Sequence, residues 1–303
     1  MPNKNRVKGA LYGVAVGDAL GAPLEFMTAR QIRDLYHSPV DRMIGGGWLN
    51  IAPGETTDDT AMTLAVAEGI MAGYTDSLGQ VIKEIGDRFI CWLETKPIDV
   101  GNTCQEVILE AKQNLKAGIT PKLAWKEAAR RYHVITNGRS GGNGALMRTV
   151  PVAIAYEKTN AFYYGGELAK MTHYDEKAAF ATGSYNEIIS QIVRTPSYER
   201  NAKVNRWIQT AYKVTTPVPT GGCIDSLSSA LWAIRQTHSF KDALITAVNL
   251  GGDADTIGAI AGGLAGALYG FKAIPDKWVQ ALSQQEKSRI DAFVDWSMEN
   301  AQK

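Results

Sequence analysis

Glycine recurs at every fourth position in two segments of the chain, one near each end. Every fourth residue of an α-helix lies on the same face, so each segment predicts a helix with a glycine-lined face. A glycine inside a helix costs about 1 kcal/mol relative to alanine, and several in register require a compensating contact. We therefore expect both helices to be buried and closely approached by neighbouring elements. The glycines are Gly9, Gly13, Gly17 and Gly21, and Gly258, Gly262, Gly266 and Gly270.

Neither glycine segment is predicted to cross a membrane. Each covers roughly 13 residues, whereas a spanning helix needs about 20. The first apolar stretch stops at Asp18, and no signal-peptide cleavage pattern follows it. Three widely spaced cysteines, Cys91, Cys104 and Cys223, favour a reducing compartment over a disulfide framework or a zinc ribbon. We expect a cytoplasmic monomer without a membrane segment, although a partner protein could recruit it to a membrane surface.

The rest of the chain shows helical periodicity, and no alternating pattern predicts a strand. Thr28 and Asp76 are predicted helix caps, and Thr120-Pro121 begins another helix. We expect an all-α fold, a compact multi-helix bundle in a single domain over residues 1–303, with functional loops at helix starts. Among the predicted helices are those over residues 58–73, 160–172, 175–194, 198–212, 223–237, 240–249, 253–270 and 284–300.

Two acidic clusters each follow a glycine-containing turn and precede a predicted helix. Thr57-Asp58-Asp59 comes after Pro53-Gly54, and Asp253-Ala254-Asp255-Thr256 comes after Gly251-Gly252. In each cluster the carboxylate and hydroxyl oxygens should gather at the first turn of the helix. We expect the fold to bring these two helix starts together.

Oxygen-only ligands suit Mg²⁺ or Mn²⁺, whereas zinc prefers histidine or cysteine, and no two histidines are spaced four apart. Converging carboxylates would repel one another unless cations neutralised them, and their number predicts two metal ions. The alternative is that these aspartates only stabilise helix starts through the dipole, each by up to about 1 kcal/mol. The candidate ligands are Thr57, Asp58, Asp59, Asp253, Asp255 and Thr256.

Other motifs and the overall charge narrow the possible functions. An EF-hand loop is excluded because Ile257 and Leu264 occupy two of its ligand positions. A haloacid-dehalogenase-type phosphatase finds some support in the apolar run before Asp253, but too little chain follows for its α/β domain. The net charge of +1 gives no field that would favour nucleic acid or an acidic membrane.

The segment from Asn137 to Gly144 is the most glycine-dense loop, and a helix is predicted to open from Ala145. Backbone N–H groups at such a helix start suit a phosphate or another anion. Glycine-rich connections are also common without any ligand, so both interpretations stay open on these residues alone.

Six motifs follow one another along the chain: Gly9-Ala-Leu-Tyr-Gly-Val-Ala-Val-Gly-Asp-Ala-Leu-Gly-Ala22, Gly54-Glu-Thr-Thr-Asp-Asp-Thr60, Asp99-Val-Gly-Asn-Thr103, Gly142-Asn-Gly-Ala-Leu-Met-Arg148, Thr172-His173 and Gly251-Gly-Asp-Ala-Asp-Thr256. Together and in this order, they resemble the ADP-ribosylglycohydrolase family over nearly the whole chain. The branch that reactivates dinitrogenase reductase shows the strongest resemblance, because of Cys104 after the third motif and the Gly-Gly-Gly-Trp loop at residues 45–48.

This resemblance implies an all-α hydrolase with two Mg²⁺ or Mn²⁺ ions bound by the six candidate ligands. The implied substrate is a protein carrying ADP-ribose on an arginine side chain, with dinitrogenase reductase as one possible partner and free ADP-ribose as the product. Asp99 and Glu25 are then the candidates for proton transfer. The candidates for contacting ADP-ribose are Asn102 at the ribose, Gly141, Gly142, Asn143 and Gly144 at the diphosphate, and His173 in the cleft.

The chain departs from the family pattern in two places. Relatives commonly carry a proline shortly after the Thr-His pair, whereas this chain has Tyr174-Asp175-Glu176, and Gly222-Cys223 stands where relatives carry an aromatic residue. Tyr212 is then a candidate for stacking on adenine. Two alternatives to arginine-linked hydrolysis remain. The protein could act on another ADP-ribosyl linkage (serine, O-acyl or nucleic-acid base), or it could bind ADP-ribose without catalysis. The complete set of ligand positions and Asp99 favours an enzyme.

Overall fold

The computed structural model describes residues 1–74, 77–195 and 216–300, which fold into helices joined by loops. Strand pairing among these residues is limited to three isolated bridges, so the predicted all-α fold is confirmed. The helices are α1 (Lys4–Gly21), α2 (Ala29–Tyr36), α3 (Asp58–Gly73), α4 (Leu78–Glu94), α5 (Asn102–Lys116), α6 (Pro121–Ile135), α7 (Val150–Ala155), α8 (Lys158–Ala169), α9 (Glu176–Arg194), α10 (Cys223–Arg235), α11 (Phe240–Val248), α12 (Ala254–Tyr269), α13 (Asp276–Ala281) and α14 (Gln284–Asn300).

The two glycine-lined helices, α1 and α12, pack against each other in antiparallel orientation. A Cβ atom on Gly13 would overlap the carbonyl oxygen of Gly262, and one on Gly17 would overlap that of Gly258. The backbones therefore touch directly, which explains why glycine is used here despite its cost inside a helix. We call this contact, formed by the facing glycines of α1 and α12, the glycine seam. It places the end of α1 beside the start of α12.

Helix α3 packs against both members of the glycine seam, and its start meets the start of α12. The hydroxyl of Thr256 donates a hydrogen bond to Oδ2 of Asp59 over 3.1 Å. The expectation that the two acidic helix starts come together is therefore confirmed. The bounds of α3 and α14 are those expected from the sequence, and Thr28 caps α2 in a capping box with Gln31.

The prediction that a helix begins at Ala145 was wrong. Residues 143–148 form turns, and α7 begins only at Val150. A helix running through from Ala145 would put Pro151 in its interior, where the ring would clash with the carbonyl of Met147. Starting at Val150 instead leaves Pro151 in the first turn, where proline is tolerated.

Some expectations fall outside the described residues, and others are modified. Asp76 and the helix expected over residues 198–212, including Tyr212, lie outside them. Ser77 caps α4 by accepting a hydrogen bond from the backbone N–H of Gln80. The six-residue α13 was not anticipated, because it is too short to show helical periodicity. Within the described residues, no helix is both long enough and apolar enough to cross a bilayer.

Candidate active site

A cleft of about 530 Å³ opens where α3, α5 and α12 begin. It is lined mainly by polar and acidic side chains and by loop backbone. Its walls are formed by Glu25, Phe26, Trp48, Asp58, Asp99, Val100, Gly101, Asn102, Thr103, Cys104, Gly142, Asn143, Gly144, Met147, His173, Gly221, Asp253, Asp255 and Thr256. Eleven of the fourteen residues expected to form the site are among them. Thr57, Asp59 and Gly141 are not, and Glu25 and Asp99 face the same cleft as the acidic helix starts.

The loop carrying Glu25 is joined by main-chain hydrogen bonds to the loop that begins α12. The N–H of Phe26 donates to the carbonyl of Gly252, and the N–H of Gly252 donates to the carbonyl of Met27, both over 2.7 Å. Gly252 has a φ of 66°, a conformation that favours glycine. These bonds set Glu25 beside the α12 start. Carboxylate oxygens of Glu25, Asp253 and Asp255 lie within 4.8 Å of one another.

Burial and mutual repulsion perturb the carboxyl groups of this cluster. Burial first, and then neighbouring carboxylates, raise the pKa values of Asp58, Asp59 and Asp255 well above the ordinary range. Burial also raises the pKa of Glu25 to about 8, although a hydrogen bond from the Trp48 indole N–H (2.5 Å) opposes that shift. A cation in the cleft would relieve this repulsion.

Asp59 provides a second observation that fits a cation. Its Oδ1 atom is buried and has no hydrogen-bond partner among the described residues, whereas Oδ2 accepts from Thr256. An unpaired buried carboxylate oxygen is costly, and a hard cation is the partner that oxygen ligands prefer. The acidic cluster is therefore a suitable candidate site for a divalent metal ion.

Asp18 is a functional candidate that the sequence did not reveal. This fully buried residue of α1 accepts hydrogen bonds from the backbone N–H groups of Thr57 and Thr60, both at 3.0 Å. It also accepts from their hydroxyls, at 3.0 Å from Thr57 and 2.5 Å from Thr60. Asp18 of α1 thus fixes the first turn of α3 and orients the Thr57 hydroxyl toward its own carboxylate. An aspartate in a glycine-rich buried helix was the available signal, because such a residue needs partners.

The glycine-dense loop is pinned to the start of α10 by main-chain pairing. The N–H of Asn143 donates to the carbonyl of Gly221, and the N–H of Cys223 donates to that of Gly141, both over 3.0 Å. The Asn143 amide nitrogen lies 2.8 Å from Oδ2 of Asp253. Asn143 therefore orients an acidic residue of the cluster, and its backbone N–H is already engaged.

His173 lies in the cleft wall and is held by buried polar groups. Thr172 Oγ1 accepts a hydrogen bond from Arg148 over 2.7 Å and forms another with Nδ1 of His173 over 2.8 Å. Burial and the charge of Arg148 lower the His173 pKa to about 3, so the imidazole is neutral at pH 7. Arg148, which also donates to the Gly144 carbonyl over 2.8 Å, is a second positioning residue that the sequence did not reveal.

Asp99 and Asn102 belong to the loop before α5 and to its first turn. The N–H of Gly101 lies 3.4 Å from Oδ2 of Asp58, which connects this loop to the start of α3. Burial, and then the charge of Asp253, raise the pKa of Asp99, while hydrogen bonds with Asp58 and the Val100 backbone act in the opposite direction. Asp99 is thus a half-buried acid in contact with the cluster.

The raised carboxyl pKa values predict how pH affects the protein after metal removal. Burial raises the pKa of Asp18 from 3.8 to about 7 and that of Glu25 from 4.5 to about 8. An acid whose pKa is higher in the folded protein than in the unfolded protein stabilises the fold at pH values below its unfolded pKa. This contribution is lost as the pH rises through its folded pKa. The lowered pKa of His173 affects stability only below pH 6.5, the ordinary pKa of the imidazole. With chelator, we expect the unfolding midpoint to fall by several degrees between about pH 6.5 and 8.5.

Thermal unfolding followed by circular dichroism measures this shift. Adding Mg²⁺ or Mn²⁺ should raise the midpoint at the higher pH and flatten the pH dependence, because bound cations favour ionised carboxylates. A midpoint that stayed constant or rose with pH in chelator would contradict the description of these buried acids.

Comparisons with known proteins agree with this architecture. The family model described as ADP-ribosylglycohydrolase matches residues 1–303. The ADP-ribosyl-[dinitrogen reductase] glycohydrolase of Rhodospirillum rubrum is 34% identical over 96% of this chain and 95% of its own length. ADP-ribosylarginine hydrolase Tri1 of Serratia proteamaculans is 32% identical over 93% and 76%. A solved structure titled ADP-ribosylglycohydrolase-related protein complex matches with a TM-score of 0.78 and 28% identity, covering 98% of both chains.

Proposed function

Since this chain belongs to the ADP-ribosylglycohydrolase family, we propose that it hydrolyses the N-glycosidic bond between ADP-ribose and an arginine side chain of a modified protein. The observation that carries the proposal is the acidic cleft, in which Glu25, Asp99 and the starts of α3 and α12 face one another. The Tri1 relative supports the arginine linkage, because it is named an ADP-ribosylarginine hydrolase. The relative named ADP-ribosyl-[dinitrogen reductase] glycohydrolase supports a modified protein as the substrate.

We propose that two Mg²⁺ or Mn²⁺ ions bind the acidic cluster. When bound, such ions orient ribose hydroxyls and lower the pKa of a water molecule. The orphaned oxygen of Asp59 and the grouping of Glu25 with Asp253 and Asp255 support this site, and Glu25 joins the candidate ligands. The proposed ligands from the helix starts are Thr57, Asp58, Asp59, Asp253, Asp255 and Thr256.

Asp99 is the proposed proton carrier. Hydrolysis breaks the bond between the anomeric carbon and a guanidine nitrogen and forms a bond from that carbon to a water oxygen. The water must lose a proton and the departing guanidine must gain one. A half-buried carboxyl with a raised pKa, facing the cluster, is suited to both transfers. His173 and Asn102, which line the same cleft, are proposed to contact ADP-ribose, and the loop of residues 141–144 is proposed to lie along the diphosphate.

The proposal is tested with a panel of defined linkages. ADP-ribosylated peptides modified on arginine, serine or cysteine, together with modified dinitrogenase reductase, are incubated with the protein and Mg²⁺ or Mn²⁺. We expect release of free ADP-ribose from the arginine-linked substrates, and its loss with chelator. Release from the serine peptide alone would redirect the proposal to another linkage. Binding of ADP-ribose with no release from any substrate would indicate a non-catalytic regulator.

Replacing Asp99 with Asn removes the proposed proton carrier without changing the size of the side chain. We expect kcat on an arginine-linked peptide to fall about a hundredfold, which is within the usual range for losing a general acid or base. The affinity for Mn²⁺, measured by calorimetry, should change little. The control is Asp34→Asn, at an exposed acid of α2 outside the cleft. Unchanged kcat in the Asp99 variant would remove this residue from the mechanism.

A further inference from the structure

Two aromatic side chains, Phe26 and Trp48, stand together in the wall of the cleft; we call them the aromatic pair. Their ring centroids lie 5.3 Å apart at a tilt of 45°. Phe26 is 67% exposed and Trp48 is 54% exposed, although large aromatic side chains normally contribute to a core. An exposed aromatic pair in a cleft wall indicates a surface that a ligand covers.

Hydrogen bonds fix both residues of the aromatic pair, Phe26 through its backbone and Trp48 through its side chain. The N–H of Phe26 is bonded to the loop that begins α12, through the carbonyl of Gly252. The indole N–H of Trp48 donates to Oε2 of Glu25 over 2.5 Å. The aromatic pair therefore lies directly beside the cluster formed by Glu25, Asp253 and Asp255.

The charge around the pair selects the kind of ligand. Five carboxyl groups line the cleft, and no lysine or arginine does so among residues 1–74, 77–195 and 216–300. A cation with a flat face suits acidic groups next to aromatic rings. Guanidinium meets both conditions, because it is planar and weakly hydrated, stacks on aromatic faces and pairs with carboxylates.

We propose that the aromatic pair binds the guanidinium and the adjoining arginine side chain of the modified protein, and so selects arginine-linked substrates. This inference rests on the proposed function. The bond to be broken must lie near the acidic cluster, and the arginine is attached directly at that bond. Adenine is separated from the same bond by a ribose, a diphosphate and a second ribose. Of the two flat groups in the substrate, the guanidinium is therefore the one that reaches rings beside Glu25.

The test compares substrate binding with product binding. Trp48→Ala and Phe26→Ala are each assayed for KM on an arginine-linked peptide and for inhibition by free ADP-ribose, which lacks arginine. We expect KM to rise roughly three- to thirtyfold, the range of a cation–π contact, and the inhibition constant of ADP-ribose to stay within about twofold. Trp48→Phe, which keeps a ring but loses the bond to Glu25, should keep KM within about threefold of the wild type.

Tyr163→Ala is the matched control, because Tyr163 is 53% exposed and does not line the cleft. Circular dichroism confirms folding of each variant. Unchanged KM in both alanine variants would overturn the inference, and so would a parallel rise in the ADP-ribose inhibition constant, since the rings would then contact ADP-ribose. A wild-type protein that releases no ADP-ribose from arginine would instead refute the proposed function.

Discussion

Replacing Asp255 with Asn is expected to lower kcat/KM on an arginine-linked peptide by about a thousandfold. Asp255 is buried at the start of α12 and belongs to the carboxylate cluster with Glu25 and Asp253. If this proposed metal ligand is lost, several kcal/mol of transition-state stabilisation by the metal ions would be lost with it, which corresponds to a rate decrease of this size. Steady-state release of ADP-ribose measures the rate, and calorimetry should show weakened Mn²⁺ binding.

The same substitution, although it lowers activity, is expected to stabilise the metal-free protein. Burial and nearby carboxylates raise the pKa of Asp255, so a neutral amide removes an unfavourable charge. In chelator near pH 8, Asp255→Asn should therefore unfold at a higher temperature than the wild type. The control is Asp242→Asn, an exposed acid in the first turn of α11 that accepts a hydrogen bond from the Ser239 hydroxyl over 2.7 Å. Asparagine can still accept this bond, so the substitution should change stability by no more than about 1 kcal/mol. An Asp255 variant with full activity and normal Mn²⁺ affinity would refute the metal site.

Replacing Gly262 with Ala is expected to destabilise the protein by more than about 4 kcal/mol, or to prevent its folding. The added Cβ would overlap the carbonyl oxygen of Gly13, and backbone cannot move aside as a side chain can. Helix propensity alone predicts the opposite sign, a gain of about 1 kcal/mol. Soluble yield and the thermal unfolding midpoint measure the effect.

Gly166→Ala is the control for the glycine seam. Gly166 also lies within a helix, α8, but a Cβ there would be 3.5 Å from its nearest neighbour, the carbonyl oxygen of Ala179. This variant should be unchanged or stabilised by up to about 1 kcal/mol. Equal midpoints for the two alanine variants would contradict direct backbone contact between α1 and α12.

Local patterns were sufficient to predict most helices and the meeting of the two acidic helix starts. Periodicity defines α3 and α14, and Thr28 marks the start of α2, because these signals lie within a few residues of the element they specify. The expected helix start at Ala145 was wrong, because a glycine-rich loop indicates a helix start only approximately, whereas Pro151 requires the helix to begin close to it, at Val150.

The partners that hold the site are distant in sequence and could not be predicted from local patterns. Asp18 bonds to residues 39 and 42 positions away, and Trp48 bonds to Glu25 across a loop of three positive-φ glycines. Arg148 was within a recognised motif, yet its contact with Thr172 depends on tertiary packing. Side-chain type and spacing indicated most of the residues that line the cleft but not what orients them.

The glycine seam also affects how this protein can vary. Because α1 and α12 meet backbone to backbone in a fixed register, inserting or deleting one residue in either helix would rotate all following side chains by about 100°. When the change falls in α1 ahead of Asp18, the Asp18 carboxylate would point away from α3, although every residue type of the site was retained. We expect length changes among homologues to fall in the loops. Helices α1 and α12 should keep their lengths, because these lengths fix the position of Asp18 relative to Asp255.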